Sequence, residues 1–217
     1  MRLTYLLTLI CIIVFVTELF SGHLFGIEPI ELLNTYGFSL NNFTTSPWTI
    51  ITSIFLHADL VHLLSNILVL LFFGIAVEDE LGKGKMLWIF LLGAFAGDVL
   101  SVFFYPPDVV SIGASAGIFG LIGVGMLIKP FDFTLPNPIP LGLLGIAYAI
   151  FNIIGFFSGE PGNISYIAHF GGLVVGLIFG FHYKGIKKGV GLIILLSIIF
   201  AILVLLIIPV IWGLIFG

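Results

Sequence analysis

Residues 106–130 read PPDVVSIGASAGIFGLIGVGMLIKP and contain an apolar run that is too short to cross a bilayer. Ser115 and Lys129 are 14 residue steps apart, which is about 21 Å of helix against a hydrocarbon core of about 30 Å. If Lys129 marks one membrane boundary, the chain before Ser115 must descend into the bilayer. Non-helical backbone at that depth is tolerated only inside protein or beside a water-filled cavity. The stretch therefore predicts an aqueous pocket with Ser115 at its floor.

The composition of the 217 residues indicates a membrane protein. Hydrophobic residues make up 60% of the chain and charged residues 8%, whereas soluble domains carry about 45–50% and about 25%. This balance excludes a water-soluble domain, because too little polar surface remains to cover a globule. The formal net charge of −4 provides no basic stripe, so we expect the lipid bilayer, and no nucleic acid, as a partner.

Long apolar runs with polar punctuation predict seven transmembrane helices, and the alternating segments of a barrel are missing. The predicted fold class is an all-α membrane protein, a polytopic helix bundle. Residues 1–183 would contain the first six spans, and residues 184–217 an inner linker and the additional seventh transmembrane helix. The apolar segment 22–57 is expected to lie in the membrane interface. The predicted spans are 3–21, 58–77, 86–104, 115–128, 140–157, 164–183 and 190–214.

The positions of the cationic residues predict the orientation of the bundle. Placing the N-terminus in the cytoplasm puts every Lys and Arg in an inner segment, as the positive-inside rule requires. The outer segments 22–57, 105–114 and 158–163 then contain none. We therefore expect an integral protein of a prokaryotic cell membrane, with its pocket open to the outer face. The seven cations are Arg2, Lys83, Lys85, Lys129, Lys184, Lys187 and Lys188.

Polar side chains of three spans are expected at one depth. His62 and Asn66 lie near the start of the second span, Ser115 starts the fourth, and His169 lies in the sixth. Helix rise from the inner charged residues puts all four about 18–24 Å above the inner boundary. Because polar groups inside a bilayer must find partners, this layer predicts one polar site.

The layer contains the groups that acyl transfer needs. Ser115 in the first turn of its helix lies beside free backbone N–H groups at the positive end of the helix dipole. His62 and Asn66 share a helix face and could complete an oxyanion hole. His169 could take the serine proton, and Phe119, one turn after Ser115, could stack on its ring.

Each of these residues also has a structural interpretation. Ser115 could be an N-cap or packing residue, His169 an interhelical hydrogen-bonding group, and His57 a brace for the outer loop. The glycines at four-residue spacing, Gly172, Gly176 and Gly180, allow close helix approach and need do nothing more.

Three further features outside this layer were also assessed. Glu78, Asp79 and Glu80 are expected to form a solvated cytoplasmic turn. Asp98 could be a buried functional acid or an interfacial residue, and both alternatives stay open. The single Cys11 excludes an intramolecular disulfide and a cysteine metal cluster. Because the histidines also lack a carboxylate-rich cluster, neither metal nor cofactor is expected.

The motifs resemble those of the rhomboid family of intramembrane serine proteases across about residues 48–180. The acidic turn VEDELGKGK, with Glu78 in the matching place, adds to the likeness. The matching motifs are H-x4-H-x3-N at His57, His62 and Asn66, G-x-S at Gly113, Ala114 and Ser115, and A-H-x-x-G-x-x-x-G at Ala168, His169, Gly172 and Gly176.

The resemblance implies a serine endopeptidase that cleaves transmembrane substrates and whose Ser115–His169 dyad lacks an acid. His62, Asn66 and the Ser115 amide would bind the oxyanion, with His57, Gly113, Phe119 and Gly172 in support. Two positions depart from the family pattern: Ala116 replaces a frequent glycine, and Thr49 a frequent arginine.

Two other functions were weighed against the protease. A catalytically silent rhomboid-like protein that binds transmembrane clients would share the fold and the cavity. A seven-span transporter would show paired broken helices, and no second short span is found. The sequence leaves the oligomeric state open.

Overall fold

The computed structural model describes residues 2–134, 138–158 and 165–216, and these residues form a helical bundle. An isolated β-bridge joins Phe38 to Ser111. A 3₁₀ turn covers Ser53–Phe55, and a π-helical turn, Leu70–Gly74, joins α6 to α7. The α-helices are α1 (Leu3–Leu19), α2 (Ser21–Phe25), α3 (Pro29–Tyr36), α4 (Leu40–Thr45), α5 (Thr49–Thr52), α6 (Leu60–Val69), α7 (Ile75–Leu81), α8 (Lys83–Ser101), α9 (Ser115–Ile128), α10 (Leu141–Ser158), α11 (Tyr166–Lys184) and α12 (Ile186–Phe216).

Seven apolar helical segments fall on the seven predicted spans. Five are long and apolar enough to cross a membrane: the continuous segment Leu60–Leu81, α8, α10, α11 and α12. The other two, α1 and α9, are shorter apolar helices of 17 and 14 residues. Apart from residue 164, where the sixth span was expected to start, the described ends differ from the predicted ones by at most four residues. The expectation of a polytopic helical membrane bundle is confirmed.

Parts of two predicted segments lie outside the described residues. These are the outer segment 158–163, apart from Ser158, and residue 164 at the expected start of the sixth span. The division into a core of residues 1–183 and an appended segment of residues 184–217 stays a prediction.

The short helix α9 lies at the centre of the bundle. Every residue from Ala116 to Leu127 is buried, and α8 and α11 pack on either side. A methyl group added at Gly172 would collide with the backbone oxygen of Ala116, and one at Gly176 with that of Gly120. The glycine spacing on α11 therefore brings the backbones of α9 and α11 into direct contact, as small residues do between membrane helices.

Glu78 corrects the expectation of a solvated acidic turn. Its side chain is 6% exposed and accepts hydrogen bonds from the Leu3 and Thr4 backbone N–H groups, at 2.8 and 2.9 Å, and from Thr4 Oγ1 at 2.6 Å. The first N–H groups of a helix have no partner within it, and a carboxylate there also favours the helix dipole. Glu78, in the first turn of α7, therefore caps the start of α1. Asp79 and Glu80, in contrast, do keep about half of their side-chain surface exposed.

Ion pairs gather at the same end of the bundle. Arg2 lies 3.2 Å from Asp79, and Lys129 lies 3.0 Å from Asp132 and 3.7 Å from Glu80. The hydrogen bond to Asp132 raises the pKa of Lys129. The start of α1, the second half of α7 and the end of α9 thus meet at one end, which we call the charged end.

The last helix, α12, covers part of α10 and leaves most of its own surface open. Leu196 of α12 is fully buried against Gly142, where an added methyl group would lie 2.8 Å from a Leu196 methyl carbon. Large apolar side chains such as Leu205 are exposed. An apolar surface of this size is what lipid contact requires.

Candidate active site

The chain enters α9 through a bent segment that needs a glycine. Gly113 has φ +113°, a conformation that side chains rarely adopt, and its N–H donates to the Ser53 carbonyl at 2.8 Å. Two residues earlier, Ser111 exchanges backbone hydrogen bonds with Phe38 at 2.7 and 3.0 Å. The segment 22–57 therefore holds the descending chain that places Ser115 at the start of α9.

Ser115 and His169 are brought into direct contact. Ser115 Oγ and His169 Nε2 are 2.8 Å apart, although the residues are 54 positions apart in the chain. The His169 ring stacks on Phe119, with centroids 4.4 Å apart and planes 12° from parallel, and the edge of Tyr166 meets it at 6.5 Å. These aromatic contacts fix the orientation of the His169 ring. Both Ser115 and His169 are half-buried, so the pair is still accessible to reactants.

Hydrogen-bond donors from α6 face the same place. A methyl group added at Gly113 would lie 2.8 Å from His62 Nε2 and 3.6 Å from Asn66 Nδ2. Asn66 Nδ2 is buried and has no hydrogen-bond partner within the described residues. A buried donor without a partner is rare and calls for an explanation. Here the donor lies beside Gly113, close to the nucleophile, where an oxyanion would need it.

His57 and Glu18 support this donor pair. The His57 N–H donates to the two Glu18 carboxyl oxygens at 3.3 and 3.4 Å, its ring Nδ1 donates to the Phe55 carbonyl at 3.1 Å, and its ring edge meets His62 at 5.1 Å. Burial, together with the neighbouring His62, lowers the pKa of His57 to about 4, so that its ring is neutral at pH 7. The sequence did not predict the contact with Glu18, because that residue lies within the apolar run of α1.

A second residue missed by the sequence analysis is Asn152 on α10. It is 3% exposed, and its Oδ1 lies 3.0 Å from His169 Nδ1, on the opposite side of the ring from Ser115. The available signal was an amide inside an otherwise apolar span, since such groups need partners in lipid. Asp98 is buried, with Ser111 near its carboxyl group.

Ala116, which departs from the family pattern, is accommodated by a glycine of α8. A methyl group added at Gly97 would lie 2.7 Å from the Ala116 methyl carbon. The extra carbon of Ala116 therefore fits against the bare backbone of α8. The other departure, Thr49, is fully buried and donates to the Ser46 carbonyl at 2.8 Å.

The arrangement supplies a nucleophile, a base and free donors, which are the parts that acyl transfer requires. Across the described ranges, no group of three or more His, Cys, Asp or Glu side chains could hold a metal ion.

Comparison with known proteins identifies the fold. Residues 44–186 match the model of the Rhomboid domain. RHOMBOID-like protein 4 of Arabidopsis thaliana is 32% identical over 65% of this chain and 36% of its own length. YdcA of Bacillus subtilis, provisionally named a rhomboid protease, is 31% identical over 67% of this chain and 71% of its own length.

Mitochondrial proteins are similar too. Rhomboid protein 1 of Saccharomyces cerevisiae is 29% identical over 73% of this chain and 48% of its own length. The match covers only 34–43% of the lengths of the first five plant relatives. Since the Rhomboid domain match extends over well more than half of the chain, this multi-pass membrane protein belongs to the rhomboid family.

Proposed function

We propose that the protein is an intramembrane serine endopeptidase that cleaves transmembrane protein substrates. The observation that carries the proposal is the 2.8 Å contact between Ser115 Oγ and His169 Nε2, beside the unpaired Asn66 donor. A serine hydroxyl becomes an effective nucleophile when a neighbouring base can take its proton. Nucleophile, base and free donor thus stand close together.

In the first half of the reaction, Ser115 Oγ attacks the carbonyl carbon of the scissile peptide as its proton passes to His169 Nε2. The carbonyl oxygen becomes an oxyanion, which the Asn66 amide, the His62 imidazole and the Ser115 backbone N–H stabilise. The C–N bond then breaks, and the leaving amine takes the proton from His169. The product is an acyl ester on Ser115.

In the second half, water replaces the amine. Water gives its proton to His169 Nε2 and attacks the ester carbonyl, the same donors stabilise the second oxyanion, and the proton returns to Ser115 as the ester bond breaks. Water must therefore reach a site inside the bundle. The half-buried state of Ser115 and His169 supports such access.

The position in the membrane follows from the charged end. Arg2, Lys129 and their acidic partners lie together, which supports a cytoplasmic charged end and a pocket open to the outer face. A substrate helix must unwind locally, because its carbonyls are otherwise blocked, and we propose that it enters beside α10. The location in a prokaryotic cell membrane stays a prediction, since the relatives include bacterial and mitochondrial proteins.

Labelling with a fluorophosphonate tests the proposal directly. Purified full-length protein is expected to form a covalent adduct that is lost in Ser115→Ala and kept in the matched control Ser65→Ala. Ser65 is exposed and bonds only to the His62 carbonyl of its own helix. Cleavage of a model transmembrane substrate is expected to follow the same pattern.

The same experiment separates the protease from a catalytically silent, client-binding rhomboid protein. Equal labelling of Ser115→Ala and wild type, or no adduct with either and no cleavage, contradicts the protease. Binding of an uncleaved transmembrane peptide in that case would favour the silent protein.

A further inference from the structure

Asn152 occupies a place where an apolar residue would be expected. It lies in the second half of α10, and from residue 147 to residue 158 it is the single buried residue. Its neighbours on this stretch, such as Phe151 and Ile153, expose about half of their surface. A buried amide in a membrane helix is costly unless both of its ends are bonded.

Both ends of the Asn152 amide are bonded, and both bonds go to α11. Nδ2 donates to the Tyr166 backbone carbonyl at 3.0 Å, and Oδ1 lies 3.0 Å from His169 Nδ1. A carbonyl oxygen can only accept, so the amide nitrogen must face Tyr166. The amide oxygen must then face His169.

This orientation determines which ring nitrogen of His169 carries the proton. Oδ1 also can only accept, so His169 Nδ1 must be the N–H donor in the neutral ring. Nε2 is then left with its lone pair, which points at Ser115 Oγ 2.8 Å away. The opposite tautomer would direct a hydrogen at the hydroxyl and could not take its proton.

We infer that Asn152 is a positioning residue that holds His169 in the tautomer required of a general base. The inference rests on the proposed function and adds a third member to the Ser115–His169 pair. The Tyr166 backbone carbonyl is fixed in the helix and orients the Asn152 amide. The Asn152 amide in turn orients the His169 ring.

The arrangement links the dyad to a helix that carries neither of its members. Ser115 lies on α9 and His169 on α11, whereas the acceptor that selects the tautomer is supplied by α10. A displacement of α10 away from α11 removes this acceptor and leaves the ring held by Ser115 and by its aromatic contacts with Phe119 and Tyr166. The base is therefore fully prepared only while α10 is docked.

Two substitutions of Asn152 separate its acceptor from its bulk. Asn152→Leu keeps a similar volume and removes the acceptor, and we expect the rate of Ser115-dependent fluorophosphonate labelling to fall by at least about 10-fold. Asn152→Asp keeps an oxygen facing Nδ1 and is expected to label within about 3-fold of wild type. Ile153→Ala, on the exposed face of the same helix, is the control and is expected to match wild type.

Two labelling results would overturn the inference. One is a rate for Asn152→Leu within 3-fold of wild type. The other is a rate for Asn152→Asp as low as that of Asn152→Leu, which would mean that the bond to Tyr166, and not the acceptor, matters. Failure of the proposed function is a separate result, since wild type would then show no labelling that depends on Ser115.

A spectroscopic measurement covers the case in which Asn152→Leu does not fold. Nitrogen NMR of histidine-labelled wild-type protein, at a pH where the ring is neutral, reports the tautomer, and the signal missing in His169→Gln assigns it. We expect the proton on Nδ1. A proton on Nε2 overturns the inference, whatever the variants do.

Discussion

Asn66 and Glu78 lie on the same membrane segment and are equally buried, yet their bonding differs. They are 8% and 6% exposed. Glu78 accepts three hydrogen bonds from the start of α1, whereas Asn66 Nδ2 has no partner within the described residues. An unpaired buried donor costs about 1–3 kcal/mol. The hydrogen bonds of Glu78 stabilise the fold, whereas the Asn66 donor remains available for the oxyanion of the proposed reaction.

The two ends of the bundle differ in the same way as Glu78 and Asn66 do. At the charged end, side chains of α1, α7 and the segment after α9 pair with one another. At the opposite end, which we call the pocket end, Ser115 contacts His169, and His62 and Asn66 lie beside Gly113. We expect substitutions at the charged end to change stability and substitutions at the pocket end to change rate.

The largest effect is expected from Gly172→Ala, because the pocket end exists only while α9 and α11 touch. The new methyl group collides with the Ala116 carbonyl, and backbone cannot move aside as a side chain can. We expect the free energy of unfolding to fall by about 3 kcal/mol or more, and we expect no detectable cleavage. Unfolding and cleavage assays in detergent measure both.

Gly191→Ala is the matched control for this substitution. Gly191 lies on α12, and nothing stands within 4 Å of an added methyl group. It is expected to keep wild-type stability and activity. Equal behaviour of the two variants would contradict the close approach of α9 and α11.

Asn66→Ala is the next largest change and tests the pocket end directly. Removing one oxyanion donor is expected to lower kcat about 100- to 1000-fold, or about 2.7–4 kcal/mol of barrier. Stability is expected to change by less than about 1 kcal/mol, because the lost donor has no partner. A large fall in unfolding temperature with unchanged kcat would mean that Asn66 stabilises the fold and does not stabilise the oxyanion.

Glu78→Gln is expected to lower stability and to leave the rate nearly unchanged, which is the reverse of Asn66→Ala. An amide in place of the carboxylate directs a donor at groups that are themselves donors, namely the Leu3 and Thr4 N–H groups and Thr4 Oγ1. We expect a loss of about 1.5–3 kcal/mol in unfolding free energy and little change in kcat. Glu80→Gln, on an exposed side chain, is the control and is expected to stay within about 1 kcal/mol.

Asp132→Asn is expected to have the smallest effect. It breaks the 3.0 Å pair with Lys129, whose partner carboxylate is 52% exposed, so the loss is expected to be below about 1 kcal/mol. Because the pair raises the pKa of Lys129, its contribution is present below the ordinary lysine pKa and is lost as pH rises through the raised value. The unfolding free energies of the variant and the wild type should therefore converge at high pH and also at high salt.

Apolar length and residue spacing were enough to predict the spans. The segment Ser115–Ile128 begins and ends where the sequence indicated, because a polar residue and a lysine interrupt an apolar run there. His62 and Asn66 do face one place, since residues four apart share a helix face. These are local properties, and they can be read without knowing which helix neighbours which.

Contacts between distant segments could not be predicted in the same way. Glu78 was expected in a solvated turn, but it is buried against the start of α1, 74 positions away in the chain. Glu18 lies within an apolar run and accepts a hydrogen bond from the His57 N–H. In both cases backbone N–H groups are among the partners, and a backbone group leaves no signature in residue type.

The sequence by itself determined a helical membrane bundle, the positions of its spans and the polar residues available for chemistry, because apolar length and helix periodicity are properties of single segments. Only the tertiary structure decided that Ser115 contacts His169 and that Asn152 of α10 lies on the other side of the His169 ring. It also decided that the Asn66 donor has no partner within the described residues, whereas the Glu78 carboxylate is fully hydrogen-bonded. These depend on which helix backbones approach most closely. That approach is set by glycines of α9 and α11 against facing backbone, a match between two surfaces that neither helix contains alone.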